Sequence, residues 1–317
     1  MQNPSVAERS TGVPGRGSIG QRITGFAAGL GVVALFSGFA LISRMGSQTE
    51  LQVHDLAMLR FGIGGILLLP VFLKSRLAGL SIWQATKLAF FGGAGFALLA
   101  YAGLFLAPAT HGAALLHGTL PLTTFIVLAV LSPRAADMGR LPGLILIGAG
   151  IVLMLADSFV GVAPAQLAGD ICLLLASLCW SAYAVSVQRA GISPISAAAI
   201  VAVLSAMVFC PAYLLLGGGS GLLATDRSDL LIQAVFQGVL IGALSIAIYT
   251  QAVRSFGAAN TALFTASVPC ITALLAMPLL GEHSSLLVWL GVAIVSMGMV
   301  LAVRTQARRL APDALQR

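Results

Sequence analysis

Charge is what this chain of 317 residues has least of: Asp, Glu, Lys and Arg make up 9% of it, where a soluble domain carries roughly 25%. Water is therefore not its main solvent. Hydrophobic residues make up 58%, more than a water-soluble core of this length can hide, whereas a bundle in lipid needs apolar residues outside as well as inside. Nucleotide chemistry is missing too. No G-x-x-x-x-G-K-[ST] segment occurs, which leaves ATP-driven pumping by this chain alone unsupported. The absence of H-E-x-x-H, G-x-S-x-G and clustered carboxylates argues against an intramembrane enzyme. Cysteine is scarce: Cys172, Cys179, Cys210 and Cys270 all fall in apolar stretches, with no C-x-x-C spacing or histidine pair, so they read as packing residues. No metal and no cofactor is expected. Residues 1 to 20 are polar, and no short apolar stretch with a cleavage site precedes the first long one, so the first helix reads as an uncleaved insertion signal.

What is there is a series of long apolar runs. A bilayer about 30 Å thick needs about 20 helical residues, and runs of that kind lie near 23–43, 56–74, 86–106, 109–131 and 139–157. Five more lie near 168–188, 195–216, 231–253, 258–280 and 285–304. The expected fold class is all-α and polytopic, with ten transmembrane helices. The net charge of +7 fits that topology rather than a nucleic-acid partner. Arg9, Arg22, Lys74, Arg76, Lys87, Arg134 and Arg140, then Arg189, Arg254, Arg304 and Arg308, share one side if both termini are cytoplasmic. Arg44 and Arg227 are exceptions on the other side. The expected location is the inner cell membrane, multi-pass, with lipid as solvent; oligomeric state leaves no mark on the sequence.

The ten runs form two related sets. Sliding the second against the first by 148 positions sets Tyr101 on Tyr249, Ala114 on Ala262, Pro121 on Pro269 and Thr124 on Thr272. The same register carries Gly143 onto Gly291 and Gly150 onto Gly298. Upstream the offset drifts: Phe36-Ser37-Gly38-Phe39-Ala40 parallels Trp180-Ser181-Ala182-Tyr183-Ala184, and Pro70 parallels Pro211. Small residues around Val162-Ala163-Pro164-Ala165 mark the junction. The expected division is a disordered tail at 1–21, a first five-helix repeat at 22–157, a linker at 158–167, a second repeat at 168–305 and a tail at 306–317. An odd number of helices per half inverts the second relative to the first.

Two five-helix halves, each opening on an aromatic-small segment (Phe36-Ser37, Trp180-Ser181) and carrying a proline in the fourth helix, resemble the EamA family of the drug/metabolite transporter superfamily. The second half is the more similar, through Gly257-Ala258-Ala259-Asn260-Thr261-Ala262, Pro269, Gly281-Glu282 and Gly291 to Gly298. The first half departs from the pattern: Ser132-Pro133-Arg134 stands where the family often has Gly-Glu. The resemblance implies a secondary transporter, an exporter of small metabolites such as amino acids, working by alternating access. Efflux of drugs or hydrophobic compounds is the alternative, with a channel or an intramembrane enzyme further off.

An inverted repeat places its substrate site at mid-depth between the halves. Polar groups at membrane depth are costly unless they face the interior or a water-filled cavity, which singles out His117. A neutral histidine bonded to a nearby carbonyl is its structural alternative. Its ordinary pKa of ~6.5 is the only sequence-level argument for proton coupling through it. On the fourth helix Thr110, His117 and Thr124 recur at helical spacing, and Thr261, Thr265 and Thr272 form the matching stripe. Tyr101 and Tyr249, Phe36 and Trp180 are candidates for the cavity wall, with packing or anchoring as the alternative. Asn260 and Gln251 are weaker candidates. Arg60, the one basic residue well inside a run, either snorkels or attracts an anionic group. Glu282 reads as a turn-fixing residue, and Pro121 and Pro269 as bending aids beside the cavity. Gly29-Leu30-Gly31-Val32-Val33-Ala34 fits a dinucleotide pattern, but inside an apolar run it reads as close helix packing.

Overall fold

Apolar segments in hydrocarbon have no water to satisfy their peptide groups, so each must close its own N–H and C=O groups by coiling into a helix. A computed structural model of the chain describes residues 19–131, 138–160 and 163–314, and among the described residues there is no strand. Nine helices among them are long and apolar enough to cross a bilayer. They are α1 (Ile19–Gly46), α2 (Val53–Ser75), α3 (Ile82–Leu106), α4 (Ala109–Leu131) and α5 (Met138–Val160), followed by α6 (Pro164–Ala190), α7 (Pro194–Leu215), α8 (Arg227–Val253) and α10 (Leu286–Ala314). Between the last two lies a shorter apolar helix, α9 (Val268–Leu280). The tails, residues 132–137 and part of the expected linker lie outside the described residues.

The run expected at 258–280 begins among residues whose side chains lie outside the described ones, and from Val268 on it stands as a separate helix shorter than a bilayer span. Helical bonding continues past α8 to Thr265, and Ile248 and Phe264 both stand against α1, at Gly31 and Gly29. The interruption before α9 is at Ser267 (φ −81, ψ −16), two residues before Pro269. In α4 the matching break falls at Thr119 (φ −89, ψ −5), two residues before Pro121. Proline lacks an N–H and crowds the preceding turn, so the same break occurs twice in the same register.

Helix ends are set by local chemistry. Gly191 ends α6 at φ +64, and the Ser193 hydroxyl then accepts from the Ser196 N–H at 3.2 Å to start α7. Outer faces carry Ile66 (73% exposed) and Ile145 (67% exposed), the surface that lipid covers. Tyr101, Leu104, Leu115 and Leu173 are fully buried between helices.

The helix pairs in contact include α5 with α10, α2 with α7, α3 with α6, α1 with α8, α4 with α6, and α1 with α9. Exchanging α1 for α6, α2 for α7, α3 for α8, α4 for α9 and α5 for α10 maps this set onto itself. The α5–α10 seam repeats the relation at atomic detail. A Cβ on Gly143 would stand 2.5 Å from the Ala302 nitrogen and 2.7 Å from the Gly298 oxygen, and one on Gly150 would stand 2.8 Å from the Gly291 oxygen. Gly298→Val is expected to prevent this approach and cost about 3 kcal/mol. The expected readout is loss of the monodisperse peak in detergent gel filtration. Gly148→Val, where no atom lies within 4 Å of the added Cβ, should leave the peak intact.

Candidate functional site

The helices enclose a cavity of about 640 Å³ that opens on the near face, the one carrying the Gly191 turn. Phe36 from α1, Thr124 from α4, Trp180 from α6, Tyr249 from α8 and Thr265 line its depth, while Arg140, Gln188 and Val303 stand toward the mouth. At its inner end, walled in common by Phe36, Leu120, Trp180 and Ser245, lies a second chamber of about 50 Å³ that adds Arg60, His117, Phe39 and Phe96.

Arg60 and His117 both stand about two helical turns in from the opposite, far face, which carries the α1–α2 turn. The Arg60 guanidinium lies over the Phe96 ring at 5.2 Å and the Phe39 ring at 5.9 Å, and its Nη1 has no hydrogen-bond partner. His117 sits in a π-helical stretch, Gly112–Gly118. Such wide turns recur in α3 at Phe90–Ala94 and in α8 at Ala234–Leu244, and they are over-represented at functional sites. The His117 ring stacks on Phe36 at 4.8 Å, 18° from parallel, and its Nδ1 also has no partner. Phe96 packs on Trp180 at 4.9 Å, completing an aromatic wall around one cation.

The far face is closed by hydrogen bonds between helices. Tyr101 donates to Gln237 Oε1 (3.0 Å), and Gln237 Nε2 donates to Ser43 Oγ (2.9 Å). Gln233 Nε2 donates to the Ile42 carbonyl (2.6 Å). Arg44 Nε pairs with Glu282 Oε1 at 2.7 Å and its Nη1 donates to the carbonyls of Leu104 and Phe105. Gly281, at φ +66, ends α9 and frees Glu282 to reach back, where Oε2 also accepts from the Ala109 N–H at 2.8 Å. Deeper in the wall, His111 Nδ1 donates to Asp170 Oδ1 (2.8 Å) and Ser158 donates to Asp170 Oδ2 (2.6 Å). The Tyr213 hydroxyl donates to Asp55 Oδ1, tying α7 to α2.

Of the residues singled out from sequence, Phe36, Arg60, His117 and Trp180 line the inner chamber, and Tyr249 and Thr265 line the outer cavity. Tyr101 and Thr261 are fully buried and line neither space; Tyr101 belongs to the far-face closure. The side chain of Asn260 lies outside the described residues. Glu282 and Phe39 lie in segments singled out from sequence, but Phe96, which with Phe39 sandwiches Arg60, and Arg44, His111 and Asp170 had no motif to announce them. Their signal was positional: ionisable residues at the ends of apolar runs. Among the described residues no group of three or more His, Cys, Asp or Glu side chains is placed to hold a metal ion.

Comparison with known proteins bears on the same half that carries Glu282. A solved structure described as "Crystal structure of protein" superposes with a TM-score of 0.58 at 22% identity, covering 89% of this chain and 97% of that one. At that identity the likeness speaks for the fold alone. No curated protein matches this chain. The model of the EamA-like transporter family matches residues 167–304. With nine membrane-length apolar helices among the described residues, the chain is a multi-pass membrane protein whose second half matches the EamA-like transporter family, itself part of the drug/metabolite transporter superfamily.

Proposed function

We propose that this protein is a secondary carrier that exports small metabolites across the inner membrane by alternating access between two inverted five-helix halves, residues 22–157 and 168–305. The observation that carries the reading is a deep cavity open on one face and closed on the other by named contacts between helices. By the distribution of Lys and Arg, the open near face is cytoplasmic and holds both termini. Amino acids or related compounds are the first substrate class. The largely apolar walls favour hydrophobic drugs as the second.

Alternation gains support from one pair of equivalent contacts. Thr124 Oγ1 and Ser181 Oγ are bonded at 3.0 Å between α4 and α6. Their register partners, Thr272 on α9 and Ser37 on α1, are both buried, and neither hydroxyl has a partner. Two equivalent hydroxyl pairs thus occupy opposite states in one conformation, which is what two halves exchanging roles require.

The test is flux. Proteoliposomes should show saturable uptake with counterflow of a metabolite first identified by comparing release from cells with and without the gene. His117→Ala and Arg60→Ala should each slow that flux by roughly tenfold or more, the loss of a hydrogen bond to a charged group. Non-saturating conductance would replace the carrier with a channel, and unchanged flux in both variants would remove the site.

A further inference from the structure

We propose that the inner chamber is an anion subsite and that the compound it takes is a monocarboxylate with an apolar or aromatic body, rather than a zwitterion or a cation. The proposal puts a monocarboxylate in place of the amino acids that stand first in the carrier reading, and rests on that reading only for the step of translocation; binding stands separately.

Arg60 is 8% exposed and His117 7% exposed, yet each keeps one side-chain nitrogen with no hydrogen-bond partner. Both line the same chamber of about 50 Å³. A buried charge without a counter-charge costs several kcal/mol. The Tyr101 hydroxyl interacts with the guanidinium and the rings of Phe39 and Phe96 return about 0.5–2 kcal/mol each, but none of the three is a counter-charge. Among the described residues no Asp or Glu lines the chamber or the cavity leading to it. The nearby carboxylates belong to the far-face closure, Asp55 with Tyr213, Asp170 with His111 and Glu282 with Arg44. A compensating anion therefore has to arrive with the ligand.

Donor and acceptor count fixes the sign. Arginine offers only donors, and a neutral histidine carrying its proton on Nδ1 offers one more there. A carboxylate presents two acceptor oxygens to such a pair and a charge opposite to that of Arg60, while an ammonium group is repelled by Arg60 and has only the Ser245 hydroxyl and the ring faces to turn to. Size sets the rest. A space of about 50 Å³ admits a few water-sized groups, room for a carboxylate but not for the body attached to it. That body is left in the 640 Å³ cavity between Phe36, Trp180 and Tyr249, where aromatic faces favour an apolar or ring-bearing group. One cation matches one negative charge.

The test uses three probes with the same ring and different charge, phenylacetate, phenylalanine and phenethylamine, on the purified full-length protein in detergent, read by thermal shift and by quenching of tryptophan fluorescence. Phenylacetate should bind saturably and at least tenfold more tightly than either ammonium compound. Arg60→Gln should weaken phenylacetate at least tenfold, and Arg60→Lys should restore part of the loss. Equal or tighter binding of phenylalanine or phenethylamine would overturn the proposal, as would no binding of phenylacetate or its undiminished binding to Arg60→Gln. Should Arg60→Gln fail to fold, the charge series on the unaltered protein and on Arg60→Lys decides. Binding of phenylacetate without flux in liposomes would sink the carrier reading and leave the subsite standing, whereas flux of zwitterions alone would do the reverse.

Discussion

Asp170→Ala is expected to lower the unfolding temperature of the detergent-solubilised protein on the order of 5–10 °C, the cost of about 3 kcal/mol for leaving buried polar groups without their acceptor. Asp170 is fully buried near the start of α6 and accepts from His111 Nδ1 at 2.8 Å and Ser158 Oγ at 2.6 Å. Gln166 Nε2 donates to Ser158 at 2.9 Å. Without the carboxylate, His111, 1% exposed, keeps only Asp157, whose oxygen is 3.9 Å from Nε2 and whose other oxygen already accepts from Ser285. One aspartate therefore joins α4, α5 and α6, and through Asp157 the start of α10. Asp170→Asn keeps an acceptor facing His111 and should lose less than half as much. Equal unfolding temperatures for Asp170→Ala and the unaltered protein would mean that this cluster does not hold the far face.

How much of this was legible depended on whether a feature repeats along the chain or is made once by packing. The helices were legible because span length and apolarity are local, and the 148-position register showed itself because Pro121 and Pro269 impose the same break. The same proline divides the run expected at 258–280, and α9 starts only after the break at Ser267. The aromatic-small segments foretold the chamber wall at Phe36 and Trp180. Tyr101 illustrates the limit. Its register equivalence to Tyr249 is real in sequence, yet Tyr249 faces the open cavity while Tyr101 is fully buried against Gln237. A protein caught open on one face makes unlike environments of like positions, and no alignment of the halves can show which half is open. Gln237 and Phe96 were invisible for a simpler reason: one amide and one phenylalanine in an apolar run carry no pattern until another helix meets them.

The far face is also the face whose ties have no equivalents. Carrying the α1–α6 register forward from Phe36 and Trp180 sets Arg44 against Gln188, and the 148-position register sets Glu282 against Arg134. The sequence positions equivalent to the far-face ion pair thus hold an amide and a second cation, and Gln188 lines the open cavity. Glu282→Ala should therefore favour the opposite conformation. It leaves the Arg44 guanidinium, 22% exposed, and the Ala109 N–H without the carboxylate that joins α1, α4 and the α9–α10 turn, a loss of roughly 1–3 kcal/mol. That is enough to shift a two-state population about 5- to 150-fold. In a background lacking Cys172, Cys179, Cys210 and Cys270, Ala40→Cys, fully buried on α1 near Arg44, reports on the far face and Thr250→Cys, on the cavity wall, reports on the near face. With Glu282→Ala added, labelling by a thiol reagent should rise in the Ala40→Cys protein and fall in the Thr250→Cys protein. Opposite changes are the signature of exchange between two closed ends. A rise at both positions would mean that the bundle has merely loosened, and no change at either would mean that the Arg44–Glu282 pair does not hold the far face shut.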